Sequence, residues 1–264
     1  MLITRKTISD SILKDDIMIR KTLHNLGEYT LLMGQVFRKP EKWAMFGKSL
    51  ARELQNLGTN SIGIVVIISF FIGAVLAMQT SYNLVSPLIP KYLIGLLTRE
   101  TMLLEFSSTI VSLILAGKIG SSISSEIGTM RITEQIDALD IMGVNAPNYL
   151  ILPKVTAAIL FFPFLCMLSM TIGIFGGWLA SVTQHLLTSA EYVYGIRYVF
   201  NSYYIVYSII KIEVFALIIS TVSSYQGFFV TGGSLEVGKA STRAVVHSSV
   251  LILMFNLILT KILL

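Results

Sequence analysis

Residues Ala116–Met142 read AGKIGSSISSEIGTMRITEQIDALDIM, a polar, acidic stretch set between two long apolar runs. The runs around it identify the solvent of the chain. Ile62–Met78 carries no charge over 17 residues and Val155–Val182 none over 28, and about 20 apolar residues in a helix cross a hydrocarbon core of about 30 Å. Hydrophobic residues make up 54% of the chain and charged residues 13%, against about a quarter charged in soluble domains. The expected fold is an all-α membrane protein, and the polar stretch is its most elaborate meeting with water. Within it, Thr129–Gly143 has helical periodicity, with Ile132, Ile136, Leu139 and Gly143 on one face. Glu134 and Asp137 project elsewhere, with Asp140 beside them. Thr129 is the expected cap and Gly143 the expected end, and Pro147 prevents continuation. Two readings follow: an amphipathic helix lying in the interface, or a docking helix for a soluble partner with a basic groove.

Working outward, the hydropathy predicts five spans near Ser61–Tyr82, Gly95–Ser121, Pro153–Thr183, Tyr204–Ser224 and Ala244–Leu264. With the N-terminus in the cytoplasm, ten Lys and Arg precede the first span, three fall in Gly117–Lys154 and two in Tyr225–Arg243. The opposite side receives Lys91, Arg99 and Arg197. Fifteen against three places the N-terminus and the acidic loop inside and the C-terminus outside. The domain organisation is then an N-terminal extension at 1–20, an interfacial amphipathic region at 21–60, and a five-span domain at 61–264 carrying a cytoplasmic helix at 126–143. The start, MLITRKTISDSILKDD, has no apolar core followed by a small-residue cleavage site, so it does not read as a secretory signal. Asp10, Asp15 and Asp16 speak against an organellar transit sequence.

Before the first span, Leu26, Tyr29, Met33 and Phe37 recur at helical spacing until Pro40 breaks the pattern. Trp43, Phe46, Leu50, Leu54 and Leu57 resume it, with Lys39, Lys42, Lys48 and Arg52 interleaved. A basic amphipathic helix with aromatic residues on its apolar side lies in the headgroup plane; the alternative is a helix packed on its own protein. Inside the spans stand Glu105, Lys211 and Glu213. Each costs about 2.5–3.5 kcal/mol on insertion scales unless paired or hydrated. Their common depth in the outer half makes a Glu105–Lys211 pair possible, either as a lock between two helices or as a polar patch in an outward cavity that touches a substrate headgroup. A proton relay is a third reading, though no chain of carboxylates continues inward. Gly173 and Gly177 form a G-x-x-x-G that suits close helix approach, with bending near Pro163 as the alternative.

Gly233–Ala240, GSLEVGKA, imitates a phosphate loop but has Ala240 where Ser or Thr holds magnesium. His24, His185 and His247 are isolated, no cluster has metal-ligand spacing, and no Ser–His–Asp arrangement suggests a nucleophile. No catalytic residue, metal or cofactor is expected. Cys166, the one cysteine, lies deep in an apolar run and reads as a packing residue.

The run AGKIGSSISSEIGTMRITEQIDALDIMGVNAPNYLILPK, Ala116–Lys154, resembles the signature of MlaE-type permeases, the membrane subunits of lipid-transporting ATP-binding-cassette (ABC) systems. Its T-E-Q-I-D-A-L block is highly specific. YQGFFVTGGSLEVGKASTRAVVHSSVLILMFNLILT, Tyr225–Thr260, and FIGAVLAMQT, Phe71–Thr80, are similar to two further family segments. The resemblance implies a separate ATPase subunit, which binds the ATP and docks on Glu126–Gly143 through Glu126, Arg131, Glu134, Gln135, Asp137 and Leu139. It implies a homodimer in a bacterial inner membrane, a membrane lipid as cargo, a periplasmic partner with a mammalian-cell-entry (MCE) domain, and no nucleic acid. The substrate path is expected along Leu76, Met78, Gln79, Arg99, Glu105, Lys211 and Glu213.

This chain departs from the family at several of these points. Leu104 and Ser108 stand where the family pattern R-E-L-G-P has Arg and Pro, so Glu105 alone survives. Tyr204 replaces an acid seven residues before Lys211, and Asn256 stands where Asp is common. Arg99 is the expected substitute for the missing Arg. The rival classes are an ion-coupled secondary transporter, for which no inverted repeat is found, and a membrane scaffold.

Overall fold

A computed structural model describes residues 20, 23–39, 43–84 and 89–264. Most of the N-terminal extension, with Pro40 and Lys42, lies outside the described residues. With no water in a bilayer core, every backbone amide must be bonded within its own segment, and helices achieve this. Every element described is helical. Helix α1 covers residues 23–36. Next come α2 (Trp43–Glu53), α3 (Asn60–Asn83), α4 (Leu93–Thr101), α5 (Val111–Leu115), α6 (Ser121–Ile132) and α7 (Gln135–Ile141). The chain continues through α8 (Ala146–Thr183), α9 (Ser189–Arg197), α10 (Tyr203–Phe228) and α11 (Ser234–Leu263). Wider π-helical turns at Leu54–Thr59, Met102–Ile110 and Ala116–Gly120 join α2 to α3, α4 to α5 and α5 to α6 without a break.

Among the described residues, five continuous helices are long and apolar enough to cross a membrane: Met45–Asn83, Leu93–Ile132, Ala146–Thr183, Tyr203–Phe228 and Ser234–Leu263. All five predicted spans lie largely within them. All five helices overshoot the predicted spans at the end assigned to the cytoplasm, the first of them most, from Ser61 back to Met45. Hydropathy marks where lipid stops, whereas the backbone hydrogen-bond ladder continues through polar residues. The region before the first span is therefore partly a stalk of that span.

The first and third spans are in the closest contact. A Cβ on Gly73 of α3 would collide with the carbonyl of Gly173 on α8, and Ser69 Oγ donates to Ser169 Oγ at 2.7 Å. The glycine pair thus serves close approach. Helix α10 is buried among the second, third and fifth spans, its Phe215, Ala216 and Ile219 packing with Leu115, Ile119, Ile123 and Phe162. Helix α1 lies on the bundle: Tyr29 donates to Thr221 Oγ1 at 2.9 Å, and Asn148 Nδ2 holds the carbonyls of Val36 and Arg38. Leu26 and Phe37 stay exposed.

Two elements depart from expectation. The helix expected at Thr129–Gly143 is two helices. The second span runs on to Ile132, the chain turns at Thr133–Glu134 with Glu134 at φ 60°, and α7 begins at Gln135. Thr129 caps nothing; its hydroxyl donates to the Ser125 carbonyl at 2.8 Å. The turn lets Ile136 bury completely while Arg131 Nη1 reaches Asp137 Oδ1 at 2.7 Å across the break. Gly143, at φ 76°, ends the segment as expected. The other departure is α9, an unpredicted helix between the third and fourth spans. It opens with a capping box in which Thr188 and Glu191 each bond the other's backbone N–H. The Thr188 backbone N–H, and after it the Thr188 hydroxyl, donate to Glu191 Oε2 and hold that carboxyl below its ordinary range.

Candidate functional site

Two places concentrate polar chemistry. The first is inside the membrane-spanning bundle and is assembled from three helices, each supplying two polar residues four apart. The second span gives Glu105 and Thr109, α10 gives Tyr207 and Lys211, and α11 gives Asn256 and Thr260. Positions i and i+4 share one helix face, so each pair projects together toward the junction of the three. The π-helical turn Met102–Ile110 carries Glu105 and Thr109 into it; such turns often mark functional positions.

Lys211 Nζ lies 3.0 Å from Glu105 Oε1 and donates to the Tyr207 hydroxyl at 3.0 Å and the Leu104 carbonyl at 3.3 Å. Three N–H donors thereby find three acceptors. Glu105 Oε2 accepts from Asn256 Nδ2 at 3.1 Å, and Thr109 Oγ1 sits 3.1 Å from it. Thr260 links the Tyr207 hydroxyl, at 3.0 Å, to Glu105 Oε1, at 3.4 Å. The Lys211 side chain is fully buried, while that of Glu105 is 39% exposed. A visiting group can therefore touch the carboxylate but not the ammonium, which acts through it. Next along the turn, Phe106 closes a cavity of about 360 Å³ with Phe71, Ile72, Val75, Leu76 and Gln79 of α3.

The other expected path residues lie apart. Met78 faces the far side of α3, where Gln184 Nε2 meets its sulfur at 3.3 Å. Arg99 does not substitute for the family's Arg beside Glu105. It is almost fully buried, and its guanidinium clamps the turn after α9, donating to Ile196 O at 2.6 Å and Tyr198 O at 3.0 Å and contacting Glu100 Oε1 at 3.1 Å. Glu213 is exposed on another face of α10 and has no ion pair or hydrogen bond among the described residues. Thr109, Tyr207 and Thr260 were missed in the sequence, although an i, i+4 polar pair inside an apolar run was the available signal.

The second place is the water-facing segment after the second span. The turn residue Glu134 is exposed, as are Gln135, Asp137 and Asp140 of α7. Ile141 and Met142 are also exposed, so apolar side chains sit beside an acidic rim. Leu139 turns inward to a cavity of about 240 Å³ shared with Met45, Phe46, Tyr149 and Pro153. Glu126 is in α6 rather than α7, and its Oε2 lies 2.7 Å from Lys154 Nζ. The imitation phosphate loop forms the first turns of α11, with Lys239 paired to Glu236 at 2.6 Å.

Residues 50–262 match the family model described as Permease MlaE. The chain is 33% identical to a probable ABC transporter permease protein of Rickettsia bellii over 96% of each chain. It is 30% identical to the intermembrane phospholipid transport system permease protein MlaE of Haemophilus influenzae over 88% of each. It is also 31% identical to the chloroplastic protein trigalactosyldiacylglycerol 1 of Arabidopsis thaliana, over 88% of this chain and 66% of that one.

Proposed function

Because the chain belongs to the MlaE permease family, we propose that it is the membrane subunit of an ATP-driven transporter that moves phospholipid or a related lipid. The observation that carries this reading is the family match over residues 50–262, which reaches all five long helices. The chain itself is a transport subunit, not an enzyme. A separate ABC ATPase binds the ATP and engages the cytoplasmic face of α7 through Glu134, Gln135 and Asp137, with Arg131 holding that helix to the second span. The exposed Ile141 and Met142 supply the apolar centre that a protein contact needs, and the acids supply a rim for a basic groove. The N-terminus lies in the cytoplasm and the C-terminus in the periplasm, as the distribution of Lys and Arg favours. Helix α2, with Trp43 exposed and Arg52 and Lys48 nearby, rests at the inner headgroup layer of a bacterial inner membrane.

Two copies act together, because five helices are too few to enclose a path for a two-chain lipid. The cavity beside Leu76, Gln79 and Phe106 receives an acyl chain, and the open carboxylate of Glu105 meets a hydrogen-bond donor of the headgroup while Lys211 holds it in place. Cargo passes to or from a periplasmic MCE-domain partner. Purification of the tagged chain in mild detergent, with mass spectrometry of proteins and lipids, tests the assembly. A stoichiometric ATPase, a periplasmic anchored protein and bound phospholipid are expected. A homodimer repeatedly free of ATPase and lipid would overturn it.

A further inference from the structure

The cytoplasmic end of the second span is tied to the helix of the first span, Met45–Asn83, at two points, one on each side of the π-helical turn Leu54–Thr59. Before the turn, Lys154 Nζ of α8 lies 2.7 Å from Glu53 Oε1 and 2.7 Å from Glu126 Oε2. Past the turn, the ammonium of Lys118 donates to the main-chain carbonyl of Asn60. Lys118 sits in a π-helical turn of its own, Ala116–Gly120. Turns of this kind are where helices bend. The third span backs the first turn directly: a Cβ on Gly58 would stand 2.7 Å from the Phe161 ring. Beyond it the same helix runs on to Phe71–Gln79, the wall of the cavity beside Phe106.

The triad is not a saturated lock. Two carboxylates from two helices share one ammonium, and Glu53 Oε2 is buried with no hydrogen-bond partner among the described residues. Glu126, with 49% of its side chain exposed, has water as an alternative, whereas Lys154 is 2% exposed and depends on its carboxylates. Two discrete arrangements are therefore available: Lys154 bridging both helices, or Lys154 on Glu53 alone with Glu126 hydrated. The Arg131–Asp137 pair joins α7 to the same span end, so a force on α7 reaches Glu126.

We infer that Lys154 and Lys118 transmit displacement of the cytoplasmic segment to the first span, with Leu54–Thr59 as the joint; this rests on the reading that an ATPase engages α7. Lys154 is a positioning residue, touching neither nucleotide nor lipid. The first test needs no ATPase. In the chain alone in nanodiscs, Glu126→Gln on α6 is expected to raise amide exchange at residues 54–60 of the other helix about threefold or more. A change confined to α6 overturns the linkage.

In the full complex, Lys154→Met is expected to leave the ATPase bound and hydrolysing while lipid moved per ATP falls about fivefold or more, with recovery in Lys154→Arg. An unchanged ratio overturns the coupling role. Should Lys154→Met fail to fold, the double variant Glu53→Gln with Lys154→Met, which leaves no buried unpaired charge, carries the same expectation. A wild-type complex that moves no lipid would instead strike the function proposed above, and the exchange result alone would then decide the linkage.

Discussion

Lys211 and Lys154 are the same side chain, both sealed from solvent, with opposite surroundings. Lys211 faces one carboxylate, and its remaining donors find a hydroxyl and a carbonyl, so the cluster is neutral and saturated. Lys154 faces two carboxylates, and one buried oxygen has no partner among the described residues. Depth explains the difference. Lys211 is eight residues into α10, about 12 Å along the helix, where a net charge meets hydrocarbon and costs several kcal/mol. Lys154 is equally eight residues into α8, but it precedes the uncharged apolar run Val155–Val182 of that helix, and its partner Glu126 is half exposed. Neutrality is enforced in the interior and slack is tolerated at the rim, and slack is what a moving part requires.

The strongest way to break this comparison is Glu105→Leu. It strands a fully buried ammonium, and loss of about 3–5 kcal/mol is expected, read by thermal unfolding in nanodiscs. The double variant Glu105→Leu with Lys211→Met should recover most of that loss; failure to recover would mean that Asn256 and Thr260, not the charge pair, carry the stability. Glu126→Gln should cost about 1 kcal/mol or less, because the half-exposed partner is screened by water. A cost equal to that of Glu105→Leu would erase the contrast between rim and interior.

Glu191 sharpens the comparison as a carboxylate held by backbone and hydroxyl instead of an ammonium. Its depressed native pKa means that its contribution is present above the ordinary carboxylate range and is lost as pH falls through the native value. Thr188→Ala should weaken that acid sensitivity without abolishing it, because the backbone N–H of residue 188, the larger cause, remains; exchange across α9 against pH measures it. The smallest stability change, within about 0.5 kcal/mol, is expected for Glu134→Lys with Asp137→Lys. That pair should nevertheless release the ATPase while the chain stays folded, and retained stoichiometric ATPase would remove α7 as the docking element.

How much was legible differs from residue to residue. The spans were readable because each needs many consecutive apolar side chains, a signal too long to mistake. Glu105 and Lys211 stood out because a charge in such a run is costly without a partner. The partners of Arg99 were not legible: nothing local shows that the carbonyls of Ile196 and Tyr198 are waiting for it. The break at Thr133–Glu134 was hidden because Ile132, Ile136 and Leu139 keep helical spacing across it. Periodicity reports which residues share a face and is blind to one left-handed residue. The α9 capping box, by contrast, is written plainly as Thr188-x-x-Glu191, a signal that hydropathy alone does not carry.

The sequence by itself determined the class of molecule, the number of long helices, their family and the residues too polar to be there without cause. Each is a property of composition or local spacing, and a bilayer constrains both severely. Only the tertiary structure decided which polar residues meet. Glu53, Glu126 and Lys154 are separated by up to 101 residues, and Glu105 lies 151 residues from Asn256. Such meetings depend on how five helices rotate about their own axes. That rotation is set by contacts such as Gly73 against Gly173, which take effect only when the helices are packed together.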